Sequence, residues 1–148
     1  MVRKGSRGKK RRCRYYVNTN FFIDLEKGVP EAEAFATRHR GEVCTSTVLL
    51  REFRNVRRGY VARNLARRYG IGIVKVRSPS RLAKRALQEA VSRGLSPSKL
   101  YDLMHIYVAK RLRAALVTAD DWCCREAVKR GVACYNHREG KWYAPRGR

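Results

Sequence analysis

Three short polar stretches hold residue types suited to chemistry: Asn18-Thr19-Asn20, Thr45-Ser46-Thr47 and Thr118-Ala119-Asp120-Asp121. Each closes an apolar run that reads as a strand, and a helical pattern starts at once after it. A strand's carboxyl end and a helix's N-terminus meet at such points, which is where an α/β protein holds its site. Glu52 lies one to two turns into the helical pattern that follows the second stretch. Asp102 lies in the first turns of the helix leading to the third. The chain has only 12 acids, and the interior ones are expected to gather at this rim. Gathered carboxylates repel unless a cation neutralises them. Oxygen donors of this kind suit Mg²⁺ or Mn²⁺. The alternative is structural: Glu52 and Asp102 pair with Arg neighbours, and Asp120 caps its helix.

The elements that must position these residues are legible in the apolar pattern. Tyr15 to Val17 reads as a short strand buried on both faces, being aromatic or β-branched throughout. Gly28 ends the first helical turns, and Pro30 starts a helix to about Arg40. Glu42 to Ser46 is a second strand. A long helical pattern runs from Val48 to Tyr69, broken or kinked near Gly59. Gly70 to Val76 gives a third strand, and Ser78-Pro79 opens a helix to about Arg93. Ser96-Pro97 caps the next helix, Ala114 to Thr118 is a fourth strand, and a helix to about Arg130 precedes a strand over Val132 to Tyr135. Strands alternating with helices predict a mainly parallel, three-layer α/β sandwich. The division is a basic arm over 1–14, one domain over 15–136 and a basic tail over 137–148 carrying Trp142 and Tyr143.

The charge points to the partner. Thirty-five Lys and Arg against 12 acids give a formal +23 over 148 residues. Eight of these cations stand in the arm: Arg3, Lys4, Arg7, Lys9, Lys10, Arg11, Arg12 and Arg14. Removing them from +23 leaves +15 on the body. The segment from Val48 to Tyr69 adds Arg51, Arg54, Arg57, Arg58, Arg63, Arg67 and Arg68 against one acid, Glu52. Self-repulsion on this scale fits a polyanion as the usual partner, and Arg suits planar phosphate contacts. These cations are the expected RNA contacts. An anionic membrane is the competing surface. No uncharged run reaches the roughly 18 apolar residues of a spanning helix, and no signal peptide is visible. A cytoplasmic protein without a membrane partner is expected.

The five cysteines, Cys13, Cys44, Cys123, Cys124 and Cys134, form no Cys-x-x-Cys pair. They read as reduced, with Cys44 and Cys134 serving as small buried hydrophobes in strands. Cys134-x-x-His137 has half the spacing of a zinc site and lacks a second half, so no zinc is expected.

Four segments in order carry a resemblance. Tyr16-Val17-Asn18-Thr19-Asn20-Phe21-Phe22-Ile23 comes first and Thr45-Ser46-Thr47-Val48-Leu49-Leu50-Arg51-Glu52-Phe53 second. Tyr101-Asp102-Leu103-Met104-His105-Ile106-Tyr107-Val108-Ala109 and Leu116-Val117-Thr118-Ala119-Asp120 follow. Together they resemble the PIN domain, a nuclease fold of VapC-type toxin ribonucleases and rRNA-processing factors. The resemblance implies a five-stranded parallel sheet of order 3-2-1-4-5. It implies Glu52, Asp102 and Asp120 as catalytic acids. The metal set it implies is Asn18, Glu52, Asp102, Asp120 and Thr118, holding Mg²⁺ or Mn²⁺. The first acid of the family's set falls on Asn18, which removes one charge from the centre of the site. A further family position falls on Trp122, with Asp121 shifted by one.

Two function classes follow. One is an RNA-binding protein on this scaffold, associated with rRNA in a ribonucleoprotein, with weakened or lost nuclease activity. The other is a Mg²⁺-dependent endoribonuclease, toxin-like or RNA-processing. Only the toxin reading brings an acidic antitoxin as partner.

Overall fold

The computed structural model describes residues 13–56 and 59–145. Tyr15–Val17 form β1, the centre of the sheet. It pairs in parallel with β2 (Val43–Ser46) on one side and β4 (Ala115–Thr118) on the other, with Tyr16 opposite both Cys44 and Leu116. β3 (Gly72–Val74) flanks β2, and β5 (Cys134–Asn136) flanks β4. The parallel order is therefore 3-2-1-4-5, as the resemblance implied. β6 (Lys141–Tyr143) adds an antiparallel strand beyond β5, with Trp142 opposite Tyr135. This corrects the reading of 137–148 as a tail. Gly140, at φ +67°, supplies the left-handed turn that reverses the chain, and His137 is buried beneath it.

Seven α-helices cover the sheet among the described residues. They are α1 (Thr19–Lys27), α2 (Pro30–Arg38), α3 (Thr47–Val56), α4 (Gly59–Tyr69), α5 (Pro79–Ser92), α6 (Leu100–Leu112) and α7 (Asp121–Lys129). A 3-10 turn, Pro97–Lys99, leads into α6. The long pattern from Val48 to Tyr69 is thus two helices. Arg57 and Arg58 lie outside the described residues, as do the arm residues Arg3, Lys4, Arg7, Lys9, Lys10, Arg11 and Arg12.

Adjacent residues of a strand face opposite layers. Tyr16 and Leu116 enter one core with α5, α6 and α7. Val17 and Val117 enter the other with Phe21, Phe22, Leu49 and Phe53. Because both faces are covered, β1 and β4 carry no polar alternation. The chain steps from β1 towards β3, then returns to β4 on β1's other side. Asn18 and Thr118 therefore flank the crevice where such sheets bind ligands.

Two sequence expectations fail in the interior. Cys44 is bonded to Cys13 and Cys134 to Cys124, so neither is a free thiol. Only Cys123 stays free among the described cysteines, and it is buried. The bridges tie β1 to β2 and α7 to β5. Closing loops of 31 and 10 residues typically contributes about 2–4 kcal/mol per bridge. The buried acids, in turn, do not all gather at the rim. Asp24 accepts from His137 Nε2 at 2.7 Å and from Arg138 Nε at 2.9 Å. Glu126 accepts from Arg93 Nη1 at 2.6 Å and Arg130 Nη2 at 3.0 Å. Both are buried, and both obtain the cationic partners that a buried carboxylate requires. Burial pushes the Asp24 carboxyl up, but its bonds from Arg138 and His137 outweigh this and hold it below the usual range.

Candidate functional site

The site is built outward from Thr118, the last residue of β4. Its Oγ1 receives Asn18 Nδ2 at 3.0 Å, Asn20 Nδ2 at 2.8 Å and the Asp120 backbone N–H at 3.2 Å. Asn20 Oδ1 in turn accepts from Ala119 N at 3.1 Å. These bonds lock the tips of β1 and β4 together. Asn18 is 3% exposed, and its Oδ1 is buried with no donor. Such an atom is costly to leave unmet.

Asp120 caps α7 by accepting from Cys123 N at 3.2 Å. The capping half of the structural alternative is therefore present. The pairing half is not, because neither Glu52 nor Asp102 is held by an Arg among the described residues. Asp102 has its carboxyl pushed up to about 6, first by burial and then by the charges of Asp120 and Glu52. Asp120 and Glu52 lie close enough to Asp102 to oppose its ionisation.

Glu52 is tied down by a chain of buried polar groups. His105 Nε2 lies 3.0 Å from Glu52 Oε1, and Thr19 Oγ1 donates to the same oxygen. His105 Nδ1 is 2.7 Å from the Tyr16 hydroxyl, which is 2.6 Å from Ser46 Oγ. One assignment with a neutral imidazole satisfies the chain. Ser46 donates to Tyr16, Tyr16 donates to His105 Nδ1, and the imidazole donates from Nε2 to the carboxylate. Burial pushes the Glu52 carboxyl up, but the bonds from His105 and Thr19 bring it below its ordinary value. Sequence reasoning gave His105, Tyr16 and Thr19 no role. The available signal was one histidine three residues after Asp102, inside a run on α6 where every residue from Leu103 to Ala109 is buried.

The donors present fit a hard divalent cation. Asp102, Asp120 and the Asn18 amide oxygen present oxygen, whereas Thr118 Oγ1 is already taken by three N–H donors. Among the described residues no group of three His, Cys, Asp or Glu is disposed to hold a metal. The Cys134-x-x-His137 pair is committed elsewhere, to Cys124 and to Asp24.

The predicted arginines divide. Arg51, Arg54 and Arg63 line one cleft of about 290 Å³ with Thr47, Leu50 and Pro79. Thr47 and Pro79 begin α3 and α5, so the cleft opens at the same sheet edge as the acids. None of the three has an acidic partner among the described residues. Arg67 bonds Asn64 at 3.3 Å, and Arg68 lies 5.3 Å from the Tyr69 ring centroid. Arg14 pairs with Glu42 at 3.3 Å at the start of β1, the end of the strand away from the acids.

Asp102 sets a pH dependence. Its folded-state carboxyl titrates near 6 against an ordinary 3.8, so the folded state holds the proton more tightly. Stability therefore falls as pH rises through that window. Asp102→Asn removes this slope and stabilises the metal-free protein above pH 7 by about 2–3 kcal/mol. Melting curves from pH 4 to 8 in EDTA read it. Parallel wild-type and variant profiles would show that Asp102 is not crowded.

With this geometry in hand, comparison with known proteins identifies the class. The PIN domain model matches residues 15–126, so the chain belongs to the PIN domain family, whose fold is nuclease-like and acts on nucleic acid. Comparison with curated proteins finds no match. Among solved structures, PAE2754 from Pyrobaculum aerophilum is similar over 77% of this chain and 79% of that one. The identity is 18% and the TM-score 0.50, a likeness of fold. The family match ends at residue 126, so the β5–β6 hairpin lies beyond it.

Proposed function

We propose that this protein binds RNA, as a component associated with rRNA in a cytoplasmic ribonucleoprotein, and that its nuclease chemistry is weakened. The observation that carries the reading is the cleft of Arg51, Arg54 and Arg63 beside the acidic rim. Three cations in one cleft with no carboxylate among its described lining residues repel one another, and a phosphate backbone relieves that repulsion. Arg67 and Arg68 of α4 extend the same field.

Two features support weakened chemistry. Asn18 stands where the family's first acid falls, and Glu52 is committed to His105 and Thr19. A bound Mg²⁺ or Mn²⁺ in this family activates water and offsets charge at the scissile phosphate. Asp102, Asp120 and the Asn18 amide would hold it here, with one charge fewer and with Thr118 fixing the Asn18 amide. Glu52 orients the rim through Thr19, and the arginine cleft aligns the backbone. The second reading, a Mg²⁺-dependent endoribonuclease with an antitoxin only if toxin-like, rests on one observation. The buried Asn18 Oδ1 without a donor fits a cation ligand.

The test is RNA affinity against salt. Each phosphate neutralised on a single strand contributes a slope of about −0.7 in log K against log salt. Arg51→Gln/Arg54→Gln lowers the slope by about 1.4 and leaves melting unchanged. Deleting residues 1–12 flattens it further while the domain stays folded. Slopes equal to wild type in stable variants would leave the cleft and the arm as solvated surface.

A further inference from the structure

A second cleft, of about 300 Å³, is lined by Arg85, Ile106, Tyr107, Lys110, Arg111 and Arg130. Lys110 and Arg111 stand in the last turn of α6, and Arg130 follows the end of α7. The cleft therefore lies at the edge where the strands begin, away from the acids. Four of its six lining residues are cations.

The fold crowds these charges. The Arg85 guanidinium sits 4.3 Å from the Tyr107 ring centroid, and Arg130 sits 5.6 Å from the same ring. Arg130 is held by Glu89 and Glu126, but Arg93 shares both carboxylates. Two acids thus answer Arg93 and Arg130. Arg85, Lys110 and Arg111 have no carboxylate partner among the described residues. Burial, and then the charge of Arg85, push the Arg130 guanidinium below its usual range. The Tyr107 ring is 8% exposed and already covered by Arg85, which leaves no face for a base to stack on. What the cleft offers a ligand is N–H donors and positive charge, the recognition set of a phosphate group.

We infer that this cleft is a second phosphate-binding site, which takes the backbone of a single RNA strand at the edge opposite the acids. The inference rests on the RNA-binding reading above. Lys110 is eight residues past Asp102 on one helix, roughly 12 Å along its axis. A phosphate bound here is therefore distinct from one at the rim, and the strand must follow the outside of the domain.

The experiment uses the full chain and a single-stranded homopolymer RNA, with affinity measured across a salt series. Lys110→Gln/Arg111→Gln lowers the salt slope by about 1.4, and Arg85→Gln by about 0.7. A control of equal charge loss at exposed positions at the ends of α1 and α2, Lys27→Gln/Arg38→Gln, has less than half the effect of the first pair. Melting curves confirm that each variant is folded. A cleft slope equal to the control's overturns the inference and leaves RNA binding standing. Wild type without measurable RNA affinity removes the RNA-binding reading itself, and this inference with it. An unchanged slope, with inorganic pyrophosphate stabilising wild type but not the cleft variant, would make this a small-anion site and also overturn the assignment to RNA.

Discussion

Val17→Asp unfolds the domain. Val17 is fully buried at the centre of the sheet, paired with Val117 of β4 and packed in the core of Phe21, Phe22, Leu49 and Phe53. A carboxylate there has no cation within the apolar layer. Taking it up protonated still leaves a polar group without a partner and removes packed methyls. Such a change costs more than about 4 kcal/mol, against a total stability of about 5–15 kcal/mol for a domain. Circular dichroism on heating reads the effect. A soluble variant that melts like wild type would mean that β1 is not the central strand.

That strand was legible because its chemistry is local. Three aromatic or β-branched residues between polar breaks suit a strand buried on both faces, and the alternation with helices gave the parallel sheet. The site residues at strand ends were legible for the same reason, since polar tips after apolar strands are a local pattern. Lys141–Tyr143 was not legible. As an edge strand with its residues exposed or half-exposed, it lacks the apolar signature and is defined by pairing with β5. The disulfides were missed because spacing in sequence says nothing of which sulfurs meet. Asp24 and Glu126 were missed for a related reason. Arg138 and Arg93 lie far along the chain from them, and only the fold brings these pairs together, while Arg130, four residues after Glu126, was the one local signal. His105 looked like one more core residue until Tyr16 and Glu52 were seen on its two nitrogens.

Asn18→Asp is expected to convert the rim into a stronger cation site. The substitution is nearly isosteric and places a carboxylate on the rim that carries Asp120 and Asp102, in a position 3% exposed. Without metal the added charge repels both acids, and the variant melts below wild type. With Mn²⁺ the order reverses, because each charge gained by the ligand set tightens binding, here by about tenfold, or about 1.4 kcal/mol. Cleavage of RNA rises with it. Melting curves with and without Mn²⁺ measure the first effect, and RNA length on a denaturing gel the second. An Asn18→Asp variant that responds to Mn²⁺ no more than wild type would remove the rim from metal chemistry. It would leave Asp120 as a helix cap and Glu52 as the partner of His105.

On the proposed reading, the wild-type protein holds RNA without a metal and leaves it largely intact. The most direct measurement forms the complex in EDTA, adds Mn²⁺ in excess, and recovers the RNA after incubation. Full binding in EDTA and RNA of undiminished length are expected, while Asn18→Asp shortens the same RNA. Rapid cleavage by wild type, abolished by Asp102→Asn or Asp120→Asn, would contradict it and make Asn18 a working ligand of an active nuclease.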